Sequence, residues 1–315
     1  MKAVGILRTG AYVPPTEVGN DRIAQWAHTT PEWIHERTGV ATRRYADDTA
    51  TTAGLAHAAA LDLLGPDRAH WPRIGGIIVA TSTGDQPQPA TAATLQHELG
   101  LGGIPAFDVN SVCVGYLFAL TVAAGLCERG GDRDGPLLVA ATDIYSRIMN
   151  RTDRTTVSLF GDGAGATLVG PVPAGYGLHA SRLVTDGELR ALVEVPATDR
   201  LFRMDGRAVR DYVLTTLPKI IDEALGESGL TLADMDRIIL HQANTRLLEA
   251  CVRELGVDPA RVPLTAPRYG NTGAASIPLT LHASHLERPL QRGERLLLAG
   301  VGGGMSAGAV VLTWY

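Results

Sequence analysis

The stretch PAFDVNSVCVGYLFAL, residues 105–120, decides the fold class of this chain. It predicts a strand over Ala106–Val109, followed by a long apolar helix that starts near Cys113. A thiol at the start of a helix lies near the positive end of the helix dipole and near unpaired backbone N–H groups, which favour the thiolate. The stretch therefore indicates an α/β fold with a nucleophilic cysteine at a strand-to-helix junction. A small, inert core cysteine would fit the same residues.

Strands and helices alternate on both sides of this stretch, as in layered α/β proteins. The pattern strand, glycine-rich bend, strand occurs in LFGDGAGATLVG, residues 159–170, and again in AGVGGGMSAGAVVLTWY, residues 299–315. In the first motif it predicts two short strands over Val157–Val169, interrupted by the glycines of FGDGAG. This repetition predicts an internal duplication, with an N-terminal half over 1–170 and a C-terminal half over 171–315. The charged segment Asp186–Asp211 is predicted to be a surface flap or an entrance. Further strands are predicted at Ile74–Ala80, Leu137–Ala140, Ile238–Leu240, Arg295–Ala299 and Ala309–Trp314, and further helices at Ala90–Leu99, Ala243–Leu255 and Ala274–Leu286.

Composition and charge exclude several classes of protein. The 315 residues carry a net charge of −5 and no basic run longer than Arg43-Arg44, so a nucleic-acid-binding surface is not expected. Three cysteines without a CxxC pair argue against a disulfide framework or a thiolate metal site. No signal peptide is recognised, and the longest apolar stretch, Val112–Cys127, is shorter than the roughly 20 residues that span a bilayer. The sequence predicts a cytoplasmic protein with no metal and no membrane contact.

Two further polar residues occupy the same kind of position as Cys113. His241 follows the apolar strand Ile238–Leu240 in LHQANTR, and Asn271 precedes a helix in RYGNTGAASIP. Each alone would fit a structural role, as a hydrogen-bonding histidine or a turn asparagine. Because open α/β folds gather ligands where strands end and helices begin, the three residues together indicate a catalytic site.

Six segments, in order along nearly the whole chain, resemble the β-ketoacyl-acyl-carrier-protein synthase III family of the thiolase fold. The resemblance implies a thiolase-like α/β fold with a duplicated α/β/α/β/α layered architecture and two pseudo-repeat halves, and a homodimer. It also implies an acyltransferase-class enzyme that uses coenzyme A thioesters as substrates, has no permanently bound cofactor and works with an acyl carrier protein. The segments are PEWIHERTGVATRRY (31–45), NSVCVGY (110–116), TDRTTVSLFGDGAGA (152–166), LHQANTR (240–246), YGNTGAASIP (269–278) and GVGGGMSAG (300–308).

The resemblance implies a decarboxylative condensation. Cys113 attacks an acyl thioester, and the backbone N–H groups of Cys113 and Gly303 stabilise the oxyanion. A malonyl thioester then binds, and His241 and Asn271 donate hydrogen bonds to the enolate that forms as carbon dioxide leaves. This enolate attacks the acyl group on Cys113. The alternative is a related acyltransferase, in which His241 acts as a general base and the acyl group passes to an alcohol, an amine or a carrier without decarboxylation.

Five more residues match positions that the family uses to bind its substrates. By that match, Trp33, Arg37 and Arg154 hold the adenine and phosphates of coenzyme A, which suits a flat indole and permanent cations. Ordinary surface packing and ion pairing would use the same three residues. Asn244 matches a contact to pantetheine, and Arg246 matches a basic residue that meets the acidic carrier protein at the tunnel mouth.

Three positions depart from the family pattern around the acyl pocket. Gln88 stands where housekeeping members commonly have a phenylalanine that closes the pocket from the partner subunit. Arg210 replaces an aromatic residue of the flap, and Ala307 replaces a tryptophan. Two polar replacements and one truncation predict an acyl group or acceptor that is larger or more polar than acetyl. They favour a starter-unit step in polyketide or other secondary metabolism over simple acetyl-primed fatty acid synthesis.

Overall fold

The computed structural model describes residues 2–130 and 135–315. Within these residues, the strands form a five-stranded sheet, a four-stranded sheet and two short two-stranded ribbons. The strands are β1 (Val4–Tyr12), β2 (Thr16–Gly19), β3 (Thr42–Tyr45), β4 (Gly76–Ala80), β5 (Ala106–Val109), β6 (Leu137–Ile144), β7 (Asp162–Pro171), β8 (Gly177–Thr185), β9 (Val193–Glu194), β10 (Arg203–Met204), β11 (Arg237–Leu240), β12 (Arg295–Gly302) and β13 (Ser306–Thr313).

The α-helices cover the faces of the two larger sheets, and short 3₁₀ turns join many of the elements. The helices are α1 (Asn20–Ala27), α2 (Pro31–Thr38), α3 (Thr52–Leu64), α4 (Thr91–Glu98), α5 (Gly115–Gly130), α6 (Arg154–Val157), α7 (Gly206–Ser228), α8 (Thr245–Leu255), α9 (Ala266–Tyr269) and α10 (Ser276–Glu287).

The two larger sheets share one strand order. The N-terminal sheet has the order β5–β4–β6–β7–β1, and the C-terminal sheet has the order β11–β12–β13–β8. Strand β6 is parallel to β4 and antiparallel to β7, just as β12 is parallel to β11 and antiparallel to β13. The same order with the same directions confirms the predicted duplication. Among the strands that the structure describes, β5 alone has no counterpart in the other sheet.

The core is divided into layers by the two sheets. One apolar cluster contains buried residues of both sheets together with residues of α5 and α10, so these two helices form the central layer. A second cluster joins α7 and α8 to the outer face of the C-terminal sheet, and a third joins α3 and α4 to the outer face of the N-terminal sheet. The resulting α/β/α/β/α order is the predicted thiolase-like architecture.

Helix α5 accounts for the longest apolar stretch of the sequence. Among the described residues, Val112–Arg129 is the one helical segment that is long and apolar enough to cross a membrane by length and composition. In this structure 56% of the segment is buried inside the protein. It is a core helix, as predicted for the apolar stretch that begins at Val112.

The prediction of two short strands separated by a bend over Val157–Val169 is wrong. Helix α6 ends at Val157, and β7 then runs without interruption. A Cβ on Gly165 of β7 would lie 2.7 Å from the backbone nitrogen of Leu279, so the glycine allows α10 to approach the strand closely. The C-terminal motif does contain the predicted bend, at Gly303–Met305 between β12 and β13.

Candidate active site

A strained turn presents Cys113 to the site. Cys113 lies in a single 3₁₀ turn, Val112–Val114, which leads directly into α5. Val112 has a φ of +47°, a left-handed conformation that β-branched residues rarely adopt. A Cβ on Gly302 would lie 3.0 Å from the backbone nitrogen of Cys113. The turn therefore packs directly against the end of β12, where only a glycine leaves enough room.

Three donors surround the sulfur of Cys113. They are the backbone N–H groups of Gly303 and of Cys113 itself and the hydroxyl of Tyr145, the three groups that act to lower the pKa of the thiol. Burial, and to a smaller extent the carboxylate of Asp143, raise the pKa of the Cys113 thiol to about 12, although the three donors lower it. Burial thus outweighs the thiolate preference that the helix start predicts. The resting thiol keeps its proton until a base accepts it.

His241 follows β11 directly and is buried. Its Nδ1 lies 2.6 Å from the Oγ of Ser276, the first residue of α10. Burial lowers the pKa of His241 to about 4, so the ring is neutral at pH 7. A serine hydroxyl can donate to Nδ1 or accept from Nδ1–H, so this contact is compatible with either neutral tautomer. Nε2 makes no hydrogen bond to the residues that the structure describes, which leaves it available to a substrate.

Asn271 lies in the turn that joins α9 to the segment before α10, and it is also buried. Its Oδ1 accepts a hydrogen bond from the N–H of Gly273 at 3.0 Å, which fixes the amide and leaves Nδ2 as the donor. Gly273 has a φ of +60°, and a Cβ there would lie 2.3 Å from Oδ2 of Asp143. Only glycine can occupy this position without moving the carboxylate.

One cavity brings the four predicted catalytic residues together. Cys113, His241, Asn271 and Gly303 all line this catalytic cavity, although they come from four different connections in the two halves of the chain. The site therefore lies between the repeats, and each sheet contributes the end of at least one strand to it.

A second cavity continues from Asn271 to a rim of exposed arginines. It shares Phe160, Met204 and Val209 with the catalytic cavity, and we call it the entrance tunnel. Four of the residues predicted to contact substrates line it. They are Arg37, Asn244, Arg246 and Arg210.

The other predicted coenzyme A residues lie on the surface. The guanidinium carbon of Arg154 lies 5.0 Å from the ring centre of Trp33, a cation–π contact between two of the three residues that were expected to hold the adenine and phosphates of coenzyme A. In the tunnel wall, the Oδ1 of Asn244 accepts from the N–H of Leu247 and caps α8.

Arg246 is already engaged within the chain. Its Nε donates to the backbone oxygen of Glu36 at 3.1 Å, and its guanidinium lies 3.2 Å from the carboxylate of Glu249. The exposed face of this pair remains part of the tunnel rim.

The three departures from the family pattern lie in different environments. Gln88 is on an exposed loop, away from the residues that line the catalytic cavity, and a role from a partner subunit stays a prediction. Arg210 is exposed at the tunnel rim and lies 3.3 Å from Asp211. Ala307 is fully buried in the apolar cluster beneath α7 and α8. Within one chain, neither polar replacement brings a polar group into the catalytic cavity.

Sequence analysis missed Asp143, Tyr145 and Ser276. Asp143 accepts hydrogen bonds from the hydroxyls of three consecutive residues, Thr81 to Thr83, and from the N–H of Ala274. Burial raises the pKa of its carboxyl. The available signal was an aspartate in the otherwise apolar strand LLVAATDI, which needs buried partners to offset its desolvation.

The fold and this site together define an enzyme of the thiolase fold that acts on acyl thioesters. Within that class, the chain belongs to the 3-oxoacyl-acyl-carrier-protein synthase III family, whose two family models match residues 107–187 and, for the C-terminal part, 225–314.

Known relatives agree over the full length of the chain. Acetoacetyl CoA synthase NphT7 of Streptomyces sp. strain CL190 is 44% identical and aligns over 98% of each chain. The β-ketoacyl-acyl-carrier-protein synthase III of Neisseria meningitidis serogroup C strain FAM18 is 40% identical over 100% of each chain. The solved β-ketoacyl-acyl-carrier-protein synthase III of Thermus thermophilus superposes with a TM-score of 0.93, at 35% identity and 99% coverage of both chains. The family predicted from the six segments is confirmed, and the chain is an acyl-thioester condensing enzyme.

Proposed function

We propose that Cys113, His241, Asn271 and the N–H of Gly303 carry out a two-step decarboxylative condensation. The observation that carries this assignment is the catalytic cavity itself. It is lined by a thiol, by the glycine whose N–H acts to lower the pKa of that thiol, by a neutral imidazole and by a fixed amide. These are a nucleophile with an oxyanion site, and two neutral donors for an enolate oxygen.

In the first step, the Cys113 thiol gives its proton to Nε2 of His241 as the sulfur attacks the acyl thioester. This step needs the tautomer with the proton on Nδ1, which then donates to Ser276. The oxyanion is held by the N–H groups of Cys113 and Gly303. The bond to the coenzyme A sulfur then breaks, and that sulfur takes the proton, leaving a thioester on Cys113.

In the second step, a malonyl thioester binds with its carbonyl oxygen at Nε2–H of His241 and Nδ2–H of Asn271. Loss of carbon dioxide leaves an enolate that these two donors stabilise. Its carbon attacks the acyl carbonyl on Cys113, a carbon–carbon bond forms, and the sulfur leaves and regains a proton from water. This step needs the opposite tautomer of His241, so between the two steps Nδ1 gives its proton to water and Nε2 takes a proton from water as coenzyme A leaves. The Ser276 hydroxyl then donates to Nδ1.

The entrance tunnel supports coenzyme A as the acyl carrier. Arg37, Arg210 and Arg246 provide positive charge at its rim, and Trp33 with Arg154 provides a flat surface for an adenine. The malonyl group is expected on an acyl carrier protein, by analogy with the family. Because the 44% identical relative is named for making acetoacetyl CoA, malonyl-CoA is the second acceptor to test.

We also propose a homodimer. Strand β5 is an edge of its sheet, and α5 beside it exposes Val122 and Leu126, one helical turn apart. An unpaired strand edge next to exposed apolar side chains favours pairing with a second copy, which would bring Gln88 of one subunit towards the site of the other. A cytoplasmic location, a starter-unit role in polyketide, secondary or fatty acid metabolism, and division of the chain into halves at residue 170 remain parts of this proposal.

The acyltransferase alternative rests on the same acyl-enzyme. Because the pKa of His241 is lowered to about 4, its neutral ring can also accept a proton from an alcohol or amine. The fixed amide of Asn271 favours condensation, since a second neutral donor suits an enolate oxygen better than an ester-forming step.

The test is intact-mass spectrometry after incubation with acyl-CoAs, followed by a chase with malonyl-loaded carrier protein or malonyl-CoA. We expect an acyl adduct on Cys113 that leaves as a β-ketoacyl product with loss of carbon dioxide. Cys113→Ala should form no adduct, whereas Cys127→Ala, which changes a cysteine outside the catalytic cavity, should form it normally.

Two other results would redirect the assignment. An adduct that survives the malonyl chase but transfers to an alcohol or amine would establish the acyltransferase instead. The absence of any adduct on Cys113 with every donor would overturn both activities.

A further inference from the structure

The aromatic ring of Tyr145 is fixed beside the reacting residues. It is 1% exposed and stacks on Phe160 with the ring centres 4.5 Å apart, and it meets Phe202 edge-on at 5.9 Å. Both phenylalanines line the catalytic cavity. On another side, a Cβ on Gly273 would lie 2.5 Å from Cε2 of Tyr145. The ring therefore also packs against the turn that carries Asn271.

Ser82 and Asp143 hold the hydroxyl of Tyr145 in place. The Oγ of Ser82 lies 3.0 Å from the phenol oxygen of Tyr145 and 3.1 Å from Oδ1 of Asp143. The carboxylate also accepts the N–H of Ser82 at 2.9 Å, the hydroxyl of Thr83 at 2.7 Å and the N–H of Ala274 at 2.8 Å. These contacts fix Ser82, and Ser82 in turn fixes the phenol oxygen.

The hydroxyl of Tyr145 acts on Cys113. It is one of the three groups that act to lower the pKa of the Cys113 thiol, and a hydroxyl has this effect when it donates to the negatively charged sulfur. Burial, together with the nearby charges of Cys113 and Asp143, raises the pKa of Tyr145 well above its ordinary value. The phenol therefore keeps its proton and remains a donor.

We propose that Tyr145 is a further catalytic residue, whose hydroxyl donates to the sulfur of Cys113 whenever that sulfur carries negative charge. Ser82 and Asp143 are its positioning residues. This inference rests on the proposed function, because it takes Cys113 as the nucleophile. The sulfur is negative twice, when it loses its proton to attack the acyl thioester and when it leaves the condensed product. One donor thus assists both steps, whereas Asn271 serves only the second.

The hydroxyl network has two arrangements, because each hydroxyl has one proton to donate. Beside the neutral thiol, Ser82 donates to Asp143 and Tyr145 donates to Ser82. When the sulfur becomes negative, Tyr145 turns its proton to the sulfur and Ser82 turns its proton to Tyr145. The N–H of Ser82 stays on Asp143 throughout. Only hydroxyl protons rotate, and no bond between oxygen and hydrogen breaks.

The test is the rate at which iodoacetamide alkylates Cys113, which needs neither an acyl donor nor an acceptor. The thiolate is the reacting form, so the rate at a fixed pH of about 8 follows the thiolate fraction. Tyr145→Phe keeps the stacked ring and loses the donor, so the rate should fall about tenfold. Peptide mass spectrometry separates modification of Cys113 from that of Cys127 and Cys251.

Tyr116→Phe is the matched control. Tyr116 is also buried, its hydroxyl donates to Oγ1 of Thr167 at 3.2 Å, and it does not line the catalytic cavity. This variant should leave the alkylation rate unchanged. Ser82→Ala should lower the rate less than Tyr145→Phe does. The double variant should react no more slowly than Tyr145→Phe alone, because Ser82 acts through Tyr145.

The enzymatic reaction gives a second readout. In Tyr145→Phe, formation of the Cys113 adduct and its conversion into the β-ketoacyl product should both slow about tenfold. Ser82→Ala leaves the stacked ring intact, so it decides the question if Tyr145→Phe does not fold.

Two results would overturn the role of Tyr145. One is an alkylation rate that is unchanged in both Tyr145→Phe and Ser82→Ala, and the other is a rate that falls equally in Tyr116→Phe. If the alkylation rates behave as expected but no donor acylates Cys113, the proposed function fails, and the contact between Tyr145 and the sulfur stands.

Discussion

The two ends of the catalytic cavity differ in backbone and in chemistry. At the reaction end, Cys113 and Asn271 sit in tight turns where Val112 and Gly273 have positive φ, and His241 is held by a buried hydroxyl. At the other end, the cavity wall comes from α7 and α8 and is apolar, with Val213, Leu217 and Leu248 among its lining residues. The strained, polar end can orient reacting atoms, whereas the apolar wall excludes water and offers no group that reacts.

This contrast has a consequence for mutation. Changes at the reaction end should alter the rate for every acyl group, whereas changes in the apolar wall should leave the reacting groups in place. The following expectations run from the largest effect to the smallest.

Loss of the nucleophile should have the largest effect. Cys113→Ala removes the atom that forms the acyl-enzyme, so condensation should fall by about 10⁴-fold or more for acetyl and octanoyl donors alike. A steady-state assay of carbon dioxide release with each donor measures this. Retention of more than a few per cent of the activity would place the covalent step elsewhere.

Loss of the amide donor should separate the two steps. Asn271→Ala should still form the Cys113 adduct, but malonyl decarboxylation should slow by about 10²–10³-fold because one preorganised donor to the enolate is missing. Rapid-quench measurement of the adduct and of carbon dioxide, in the same samples, distinguishes the steps. Full decarboxylation by this variant would remove Asn271 from the mechanism.

Loss of the hydroxyl behind His241 should have a smaller effect. Ser276→Ala leaves Nδ1 without a partner in a buried site, which costs about 1–3 kcal/mol and corresponds to about a tenfold loss of kcat. The pH profile of acylation should also shift, which a purely structural defect would not cause. Thr280→Val removes another buried hydroxyl of α10 and should leave both kcat and the profile unchanged.

Titration of His241 should appear in stability. Its pKa is about 4 in the folded protein and 6.5 in the unfolded chain, so between these values the unfolded state binds more protons. The free energy of unfolding should therefore fall as the pH is lowered from 6.5 towards 4, by about 3 kcal/mol in total.

The variant His241→Asn isolates the contribution of His241 to the pH dependence of the free energy of unfolding. Asp162, whose pKa burial raises to about 6, acts in the opposite direction, so the relevant quantity is the difference between the unaltered protein and His241→Asn. That difference should change with pH over this window, whereas the corresponding difference for Leu217→Phe should stay constant. A flat difference for His241→Asn would mean that the histidine titrates normally.

The sequence predicted the parts of the molecule that depend on local pattern. Strand β5 falls at Ala106–Val109 as expected, because a short apolar run before a helix start leaves few alternatives. The glycines near Gly165 misled the prediction of β7, since glycine marks both a bend and a close approach of another element. Only the position of α10 distinguishes these two uses.

Prediction of the site residues was also limited to what the local sequence pattern shows. Cys113, His241 and Asn271 were predictable because each lies within a recognisable sequence motif. Ser276 and Asp143 were not, because they act through partners that are distant in the chain. Ser276 contacts a histidine 35 residues away, and Asp143 contacts hydroxyls about 60 residues away. Burial of the thiol, which reverses the expected direction of its pKa shift, is likewise a property of packing and not of local pattern.

The most direct test of the reaction end is a crystal structure of the enzyme acylated by a donor that forms the adduct. We predict a thioester on Cys113 whose oxygen lies about 2.7–3.1 Å from the backbone nitrogens of Cys113 and Gly303. An oxygen bound instead to His241 and Asn271 would contradict the account.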